Sequence, residues 1–190
     1  MLYDSTDNLV KKIDFRNKSK NYSHDPMGRL AQVIDIDNEI TRFTYDGNGN
    51  PKTLRDGNNH IQNFTFGKSD LLAKYLDGAN NPYSFIYDSA RNLKVVKKPI
   101  GSIAYTYDPL NRVTMVKLST GETNKYSYDE NGNPTSFSNS IGTCYFYYDS
   151  LDRLVKTQDL FNNKFLYGHN AVGSIIYVVY SGKDTVKYKY

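Results

Sequence analysis

The sequence predicts an all-β chain of consecutive antiparallel β-hairpins, and three observations carry that prediction. An aromatic residue, any residue, then a second aromatic or similar residue recurs along all 190 residues at intervals of about 20–21. Turn-forming residues, usually opened by Asp, follow nearly every such pair. No window sustains apolar spacing at i, i+3 and i+4 over three turns, because Gly, Pro or paired Asn breaks nearly every stretch of ten residues. Parallel architecture needs crossover helices that such a chain cannot supply.

The repeats can be followed in order. Met1-Leu2-Tyr3 and Tyr22-Ser23-His24 are weak copies. Clear ones are Phe43-Thr44-Tyr45, Phe64-Thr65-Phe66, Phe85-Ile86-Tyr87, Tyr105-Thr106-Tyr107, Tyr126-Ser127-Tyr128, Phe146-Tyr147-Tyr148 and Phe165-Leu166-Tyr167. The chain ends on Tyr188-Lys189-Tyr190. Second members stand 21, 21, 21, 21, 20, 21, 20, 19 and 23 residues apart. The next residue is Asp4, Asp25, Asp46, Asp88, Asp108, Asp129 or Asp149, while Gly67 and Gly168 stand in at two copies. Counting the second aromatic as one, the sixth position reads Asn8, Arg29, Asn50, Leu71, Asn92, Arg112, Asn133 and Arg153. Asn and Arg alternate with one exception, so the larger unit is two hairpins, about 42 residues.

The stretch from Tyr107 to Asp129 shows the local physics. In Asp108-Pro109-Leu110-Asn111, Pro presets φ and the Asp carboxylate can accept from the backbone two residues on. Arg112 to Ser119 alternates as a half-buried strand, with Val113 and Met115 expected on one face. Thr120-Gly121 reverses the chain, and Thr123 to Tyr128 returns with Tyr126 and Tyr128 on one face. Each repeat is two short strands and two turns. A sheet of such repeats has one apolar face that a single repeat cannot bury.

Composition agrees. There are 18 Tyr, 20 Asn and no Trp; tyrosine favours strands and asparagine favours turns. With 24 basic and 20 acidic side chains, the net charge of +4 is too balanced to make a polyanion the obvious partner, so no nucleic acid is expected. The longest strongly apolar run, Ile175 to Tyr180, is far too short to span a bilayer as a helix, and no membrane insertion is expected. The residues after Met1 form no signal peptide. Cys144, the one cysteine, forms no internal disulfide, and no Cys/His cluster has zinc-ligand spacing.

Catalytic chemistry finds no foothold. Asp46-x-Asn48-x-Asn50 and Asp129-x-Asn131-x-Asn133 echo a calcium loop, but Pro51 and Gly57, then Pro134 and Ser140, occupy the places that need Gly and Glu. Turn chemistry accounts for both. His24, His60 and His169 share no spacing with a Ser or Cys nucleophile, and Gly67-Lys68-Ser69 lacks the upstream glycine of a phosphate loop. No enzyme activity, no catalytic residue, no metal and no cofactor is expected.

These residues resemble YD repeats of the Rhs type. The Tyr-Asp pair, a glycine-containing turn, then Asn or Arg-Leu appear at Tyr45-Asp46-Gly47-Asn48-Gly49-Asn50, Tyr128-Asp129-Glu130-Asn131-Gly132-Asn133 and Tyr148-Asp149-Ser150-Leu151-Asp152-Arg153-Leu154. His24-Asp25-Pro26-Met27-Gly28-Arg29-Leu30 fits with His for Tyr, and coverage is essentially the whole chain. The resemblance implies a hairpin ribbon, curved or spiralling, that forms part of a hollow shell. In bacterial relatives such shells enclose a toxic effector segment; animal relatives carry them in cell-surface adhesion proteins. Bacterial shells often end in a DPxGxxD-like self-cleavage motif. Asp25-Pro26-Met27-Gly28 matches its first half, but Ala31 replaces the second Asp, so no autoproteolysis is carried over.

The expectation is therefore a single array, residues 1–190, of about nine repeats, with no separate catalytic or effector domain. Its function would be structural, as part of a shell. Its partners would be the rest of a longer Rhs-type polypeptide and the effector it encloses, in a secreted or cell-surface setting. The alternative is a surface glycan-binding or adhesion module. The structural positions singled out are Tyr45, Asp46, Tyr87, Asp88, Tyr107, Asp108, Tyr128, Asp129, Tyr148 and Asp149.

Overall fold

The computed structural model describes residues 1–180 and 184–188. They form nineteen strands and, among the described residues, no helix. Contacts divide the chain into two units. The first comprises Met1–Ile86 and Val96–Ile100, the second Tyr87–Val95 and Gly101–Tyr190.

The first unit holds β1 (Leu2–Tyr3), β2 (Leu9–Ile13), β3 (Ser19–His24), β4 (Leu30–Ile34), β5 (Ile40–Tyr45), β6 (Pro51–Arg55), β7 (Ile61–Phe66), β8 (Leu72–Leu76) and all but the last residue of β9 (Pro82–Tyr87). The short β10 (Leu93–Lys97) contributes residues to both. The second unit holds β11 (Ser102–Tyr107), β12 (Val113–Leu118), β13 (Thr123–Tyr128), β14 (Pro134–Ser138), β15 (Thr143–Tyr148), β16 (Leu154–Gln158), β17 (Lys164–His169), β18 (Ile175–Tyr180) and β19 (Asp184–Lys187). Within each unit every strand pairs antiparallel with the next in the chain, as the hairpin reading requires.

The period-2 pattern places the repeat aromatics on one face, where they meet across the hairpins. Phe64 faces Tyr75, and Tyr75 faces Tyr83, with ring centroids 5.1 and 5.4 Å apart. In the second unit Tyr126 faces Phe137 at 5.4 Å, and Phe137 faces Cys144, which is half-buried. Tilted rings at these distances match the geometry that the aromatic quadrupole prefers. Val96, 8% exposed, is the only buried side chain among the described residues. Most aromatic-face residues are only half-buried, so a single layer of sheet carries the apolar surface.

Within each unit, the hairpins that close on a repeat turn have a register shift one residue before the turn's aromatic, as between Thr44 and Tyr45 or Thr106 and Tyr107. This bulge corrects one expectation. Met115 stands opposite Thr106 and Lys125, while Val116 opposes Tyr105 on the aromatic face. Alternation counted outward from the turn goes out of step because the bulge sets two residues of one strand against one of the other.

Candidate functional site

The residue pattern converges on the turns that follow each aromatic pair. In each, the backbone closes a five-residue frame. The Asp108 amide donates to the Arg112 carbonyl at 2.9 Å, and the Asn111 amide donates back to the Asp108 carbonyl at 3.0 Å. The fourth residue of the frame has positive φ, at Gly28, Gly49, Asn111, Gly132 and Asp152 among others. Glycine, Asn and Asp, which tolerate the left-handed region, fill these positions except at Arg91, where φ is 68°.

The Asp carboxylate then holds the turn from inside. Asp46 Oδ1 accepts from the amides of Asn48 and Asn50, both at 2.9 Å, and its Oδ2 accepts from Asn50 Nδ2 at 3.3 Å. Asp149 Oδ1 accepts from the amides of Leu151 and Arg153, and Arg153 Nε donates to Oδ2 at 2.7 Å. Asp88, Asp108 and Asp129 accept in the same way from Asn92, Arg112 and Asn133. Both oxygens of Asp46 and of Asp129 thus face N–H donors, the arrangement of a capped turn.

Donation to the ionised form favours it, and the carboxylates respond. The Arg153 side chain holds Asp149 down to about 2 against its burial. The Asn8 amide, aided by the Thr6 hydroxyl, brings Asp4 to about 2. Asp25 is lowered chiefly by the Arg29 side chain and Asp108 chiefly by the Arg112 amide.

The sixth position links one turn to the next, and here the Asn/Arg alternation acquires a physical meaning. Asn50 Nδ2 also donates to Asp70 Oδ1 at 2.8 Å, Asn92 Nδ2 to Asn111 Oδ1 at 2.6 Å, and Asn133 Nδ2 to Asp152 Oδ1 at 2.7 Å. Arginine reaches further. Arg112 Nη1 donates to the Asp129 carbonyl at 2.9 Å while its guanidinium lies 4.7 Å from the centroid of the Tyr128 ring. Arg153 Nη1 donates to the Asn170 carbonyl, and Arg29 stacks 4.4 Å over Tyr45.

The second aromatic closes the ladder. The Tyr45, Tyr107 and Tyr128 hydroxyls donate to the carbonyls of Leu30, Leu93 and Val113, each at 2.8 Å. Tyr87 and Tyr148 end β9 and β15 half-buried, and burial raises the phenol pKa of Tyr107 and Tyr148.

Two features escaped the sequence reading. The opposite ends of the hairpins carry the same device. Asp14, Asp35, Asp56, Asp77 and Asp159 each accept from the amides two and four residues on. The signal was present: the first four stand 21 residues apart, each with Asn three residues later. The last complete repeat is also framed differently. Its turn runs from Asn170, whose Oδ1 accepts from the Val172 and Ser174 amides, and His169 Nε2 takes the tyrosine's place against the Leu154 carbonyl at 2.8 Å. Tyr167-Gly168-His169 is therefore the motif, in place of Phe165-Leu166-Tyr167 with Gly168 as stand-in. The step from Tyr148 becomes 21 residues instead of 19. Of the terminal copy, Tyr188 is described, and Lys189 and Tyr190 lie outside the described residues.

Two family models match the sequence, Teneurin YD-shell over residues 80–190 and RHS Repeat over residues 24–61. The chain belongs to the Teneurin YD-shell family. No curated protein matches it. Among solved structures, the crystal structure of TcdB2-TccC3-Cdc42 shares 17% identity over 86% of the YD-shell chain at a TM-score of 0.70. TcdB2-TccC3 without its hypervariable C-terminal region gives 18% identity over 86% at 0.69. The Photorhabdus luminescens Tc holotoxin pore carrying TccC3-D651A gives 15% over 85% at 0.63. At these identities the likeness is one of fold, an all-β YD-shell. The chain spans 10–12% of the length of those structures.

Proposed function

We propose that this YD-shell chain is a non-catalytic wall element: a single array of repeats, residues 1–190, within a longer secreted or surface-exposed polypeptide whose shell encloses an effector segment. The observation that carries the reading is the turn ladder. Capped turns are tied to the ones after them through Asn50, Asn92, Arg112, Asn133 and Arg153, a link that further repeats can extend in register. The half-buried aromatic face supports it, because repeat units of this kind bury their apolar surface only against further layers. Tyr45, Tyr107 and Tyr128 brace the ladder; Asp46, Asp88, Asp108, Asp129 and Asp149 hold its turns. Limited proteolysis of the parent polypeptide tests enclosure. The effector segment should be cut far more slowly within the intact parent than when expressed alone, and equal rates would sink the reading.

A further inference from the structure

The near balance of charge conceals a sorting by position. Of the 20 acidic residues, all but Asp184 stand in turns, and strands β1 to β18 contain no Asp or Glu. Lysine and arginine recur in those same strands. On the face away from the aromatics, Arg42 and Arg55 stand directly opposite one another, a like-charged pair that a stable sheet does not otherwise favour.

The sorting matters most at a recess of about 560 Å³ in the first unit, where Asn63, Thr65, Lys74, Ser84, Lys97 and Lys98 stand with Leu76, Pro82 and Tyr83 in a lining that is more apolar than polar. Thr65 faces Lys74 and Lys74 faces Ser84, so hydroxyl, ammonium and hydroxyl form one row across β7, β8 and β9. No acidic residue lines the recess. None of its lysines has an ion-pair partner among the described residues. The recesses between capped turns differ, since Asp4 and Asp25 line one and Asp88 and Asp108 another.

We propose that this lysine-lined recess binds a multivalent oxyanion, a small ligand bearing phosphate or carboxylate groups. Lys74, Lys97 and Lys98 would supply the charge, and Thr65, Ser84 and Asn63 the neutral hydrogen bonds that orient it. Its volume falls in the range of small-molecule sites. This site is independent of the wall role and goes beyond it.

The test is calorimetric titration of the full-length protein with tripolyphosphate and, separately, citrate at constant ionic strength. One saturable site is expected. The double variant Lys74→Gln/Lys97→Gln should bind at least tenfold more weakly, while Lys117→Gln/Lys125→Gln, which removes the same charge from the second unit, should change Kd less than twofold. Tighter binding of tripolyphosphate assigns a phosphoryl ligand, and tighter binding of citrate a carboxylate one. Equal weakening by the two double variants, or no saturation with either anion, overturns the proposal. Should the first double variant melt early, Lys97→Gln alone is read, with about threefold weakening expected and an unchanged Kd counting against the site.

Discussion

Asp4, Asp25, Asp77, Asp108, Asp149 and Asp159 are ionised acceptors, each holding two backbone amides and a side-chain donor. Their folded-state pKa values lie below the unfolded value near 4, so in that window the unfolded chain binds more protons than the folded one. The stability they contribute is complete above about pH 4 and is lost as pH falls toward about 2, the value reached at Asp4 and Asp149. Thermal melts at pH 6, 4, 3 and 2 should show a progressive fall that begins below pH 4, and a flat profile would contradict this account. Asp149→Asn keeps the acceptor for the Leu151 and Arg153 amides but loses the charge facing Arg153. That variant should melt lower at neutral pH and lose less on acidification. Gly67 offers the converse experiment. It holds a turn frame without a side chain, its φ is not positive, and a Cβ there would meet only the Leu71 carbonyl at 3.7 Å. Gly67→Asp should therefore supply the missing cap and add about 0.5–1.5 kcal/mol. For a chain of this size that is a rise of a few degrees in Tm, and an unchanged or lower Tm would show that the carboxylate does not find its amides.

At the scale of elements, the unit of construction is a hairpin with a bulge and a capped turn at one end, and at Asp14, Asp35, Asp56, Asp77 and Asp159 a capped turn at the other as well. Beside the bulge, Tyr45, Tyr107 and Tyr128 reach the carbonyl just beyond the sixth position of the preceding repeat, as Tyr128 meets Val113. Within the hairpin the aromatic ladder supplies packing. A double-mutant cycle of Phe64→Ala and Tyr75→Ala should return a coupling of about 0.5–1.5 kcal/mol, the value of a ring pair beyond its area. Arg112→Lys should lower Tm more than Lys117→Gln does, because lysine cannot reproduce the fork that meets Asp108, the Asp129 carbonyl and the Tyr128 ring together.

For the whole molecule, the decisive fact is how little is buried. Only Val96 among the described residues lies below a tenth exposed, although rings recur in every repeat. Expressed without neighbouring repeats, the 190-residue chain should therefore bind a hydrophobic dye such as ANS and associate with rising concentration. Both signals should fall when further repeats are appended. Dye fluorescence at the level of buffer would mean that the aromatic face is covered after all.

The sequence by itself determined what local forces decide. Strand order, hairpin connection and the place of the Asp46, Asp108 and Asp129 turns depend on side-chain alternation and on a carboxylate reaching amides two and four residues away, and all of these are legible in a linear pattern. His169 was misplaced because a histidine and an asparagine together replaced Tyr-Asp, leaving only the period to reveal the frame. Tertiary structure alone decided how turns are joined. Asn50 meets Asp70 and Arg112 meets the Asp129 carbonyl across 17–20 residues, a distance set by hairpin length and by the bulge that shifts each register. It also decided the sorting of charge, since the acids stand in the turns, where Asp25, Asp108 and Asp149 pair with turn arginines, while strand lysines such as Lys74 have no ion-pair partner among the described residues.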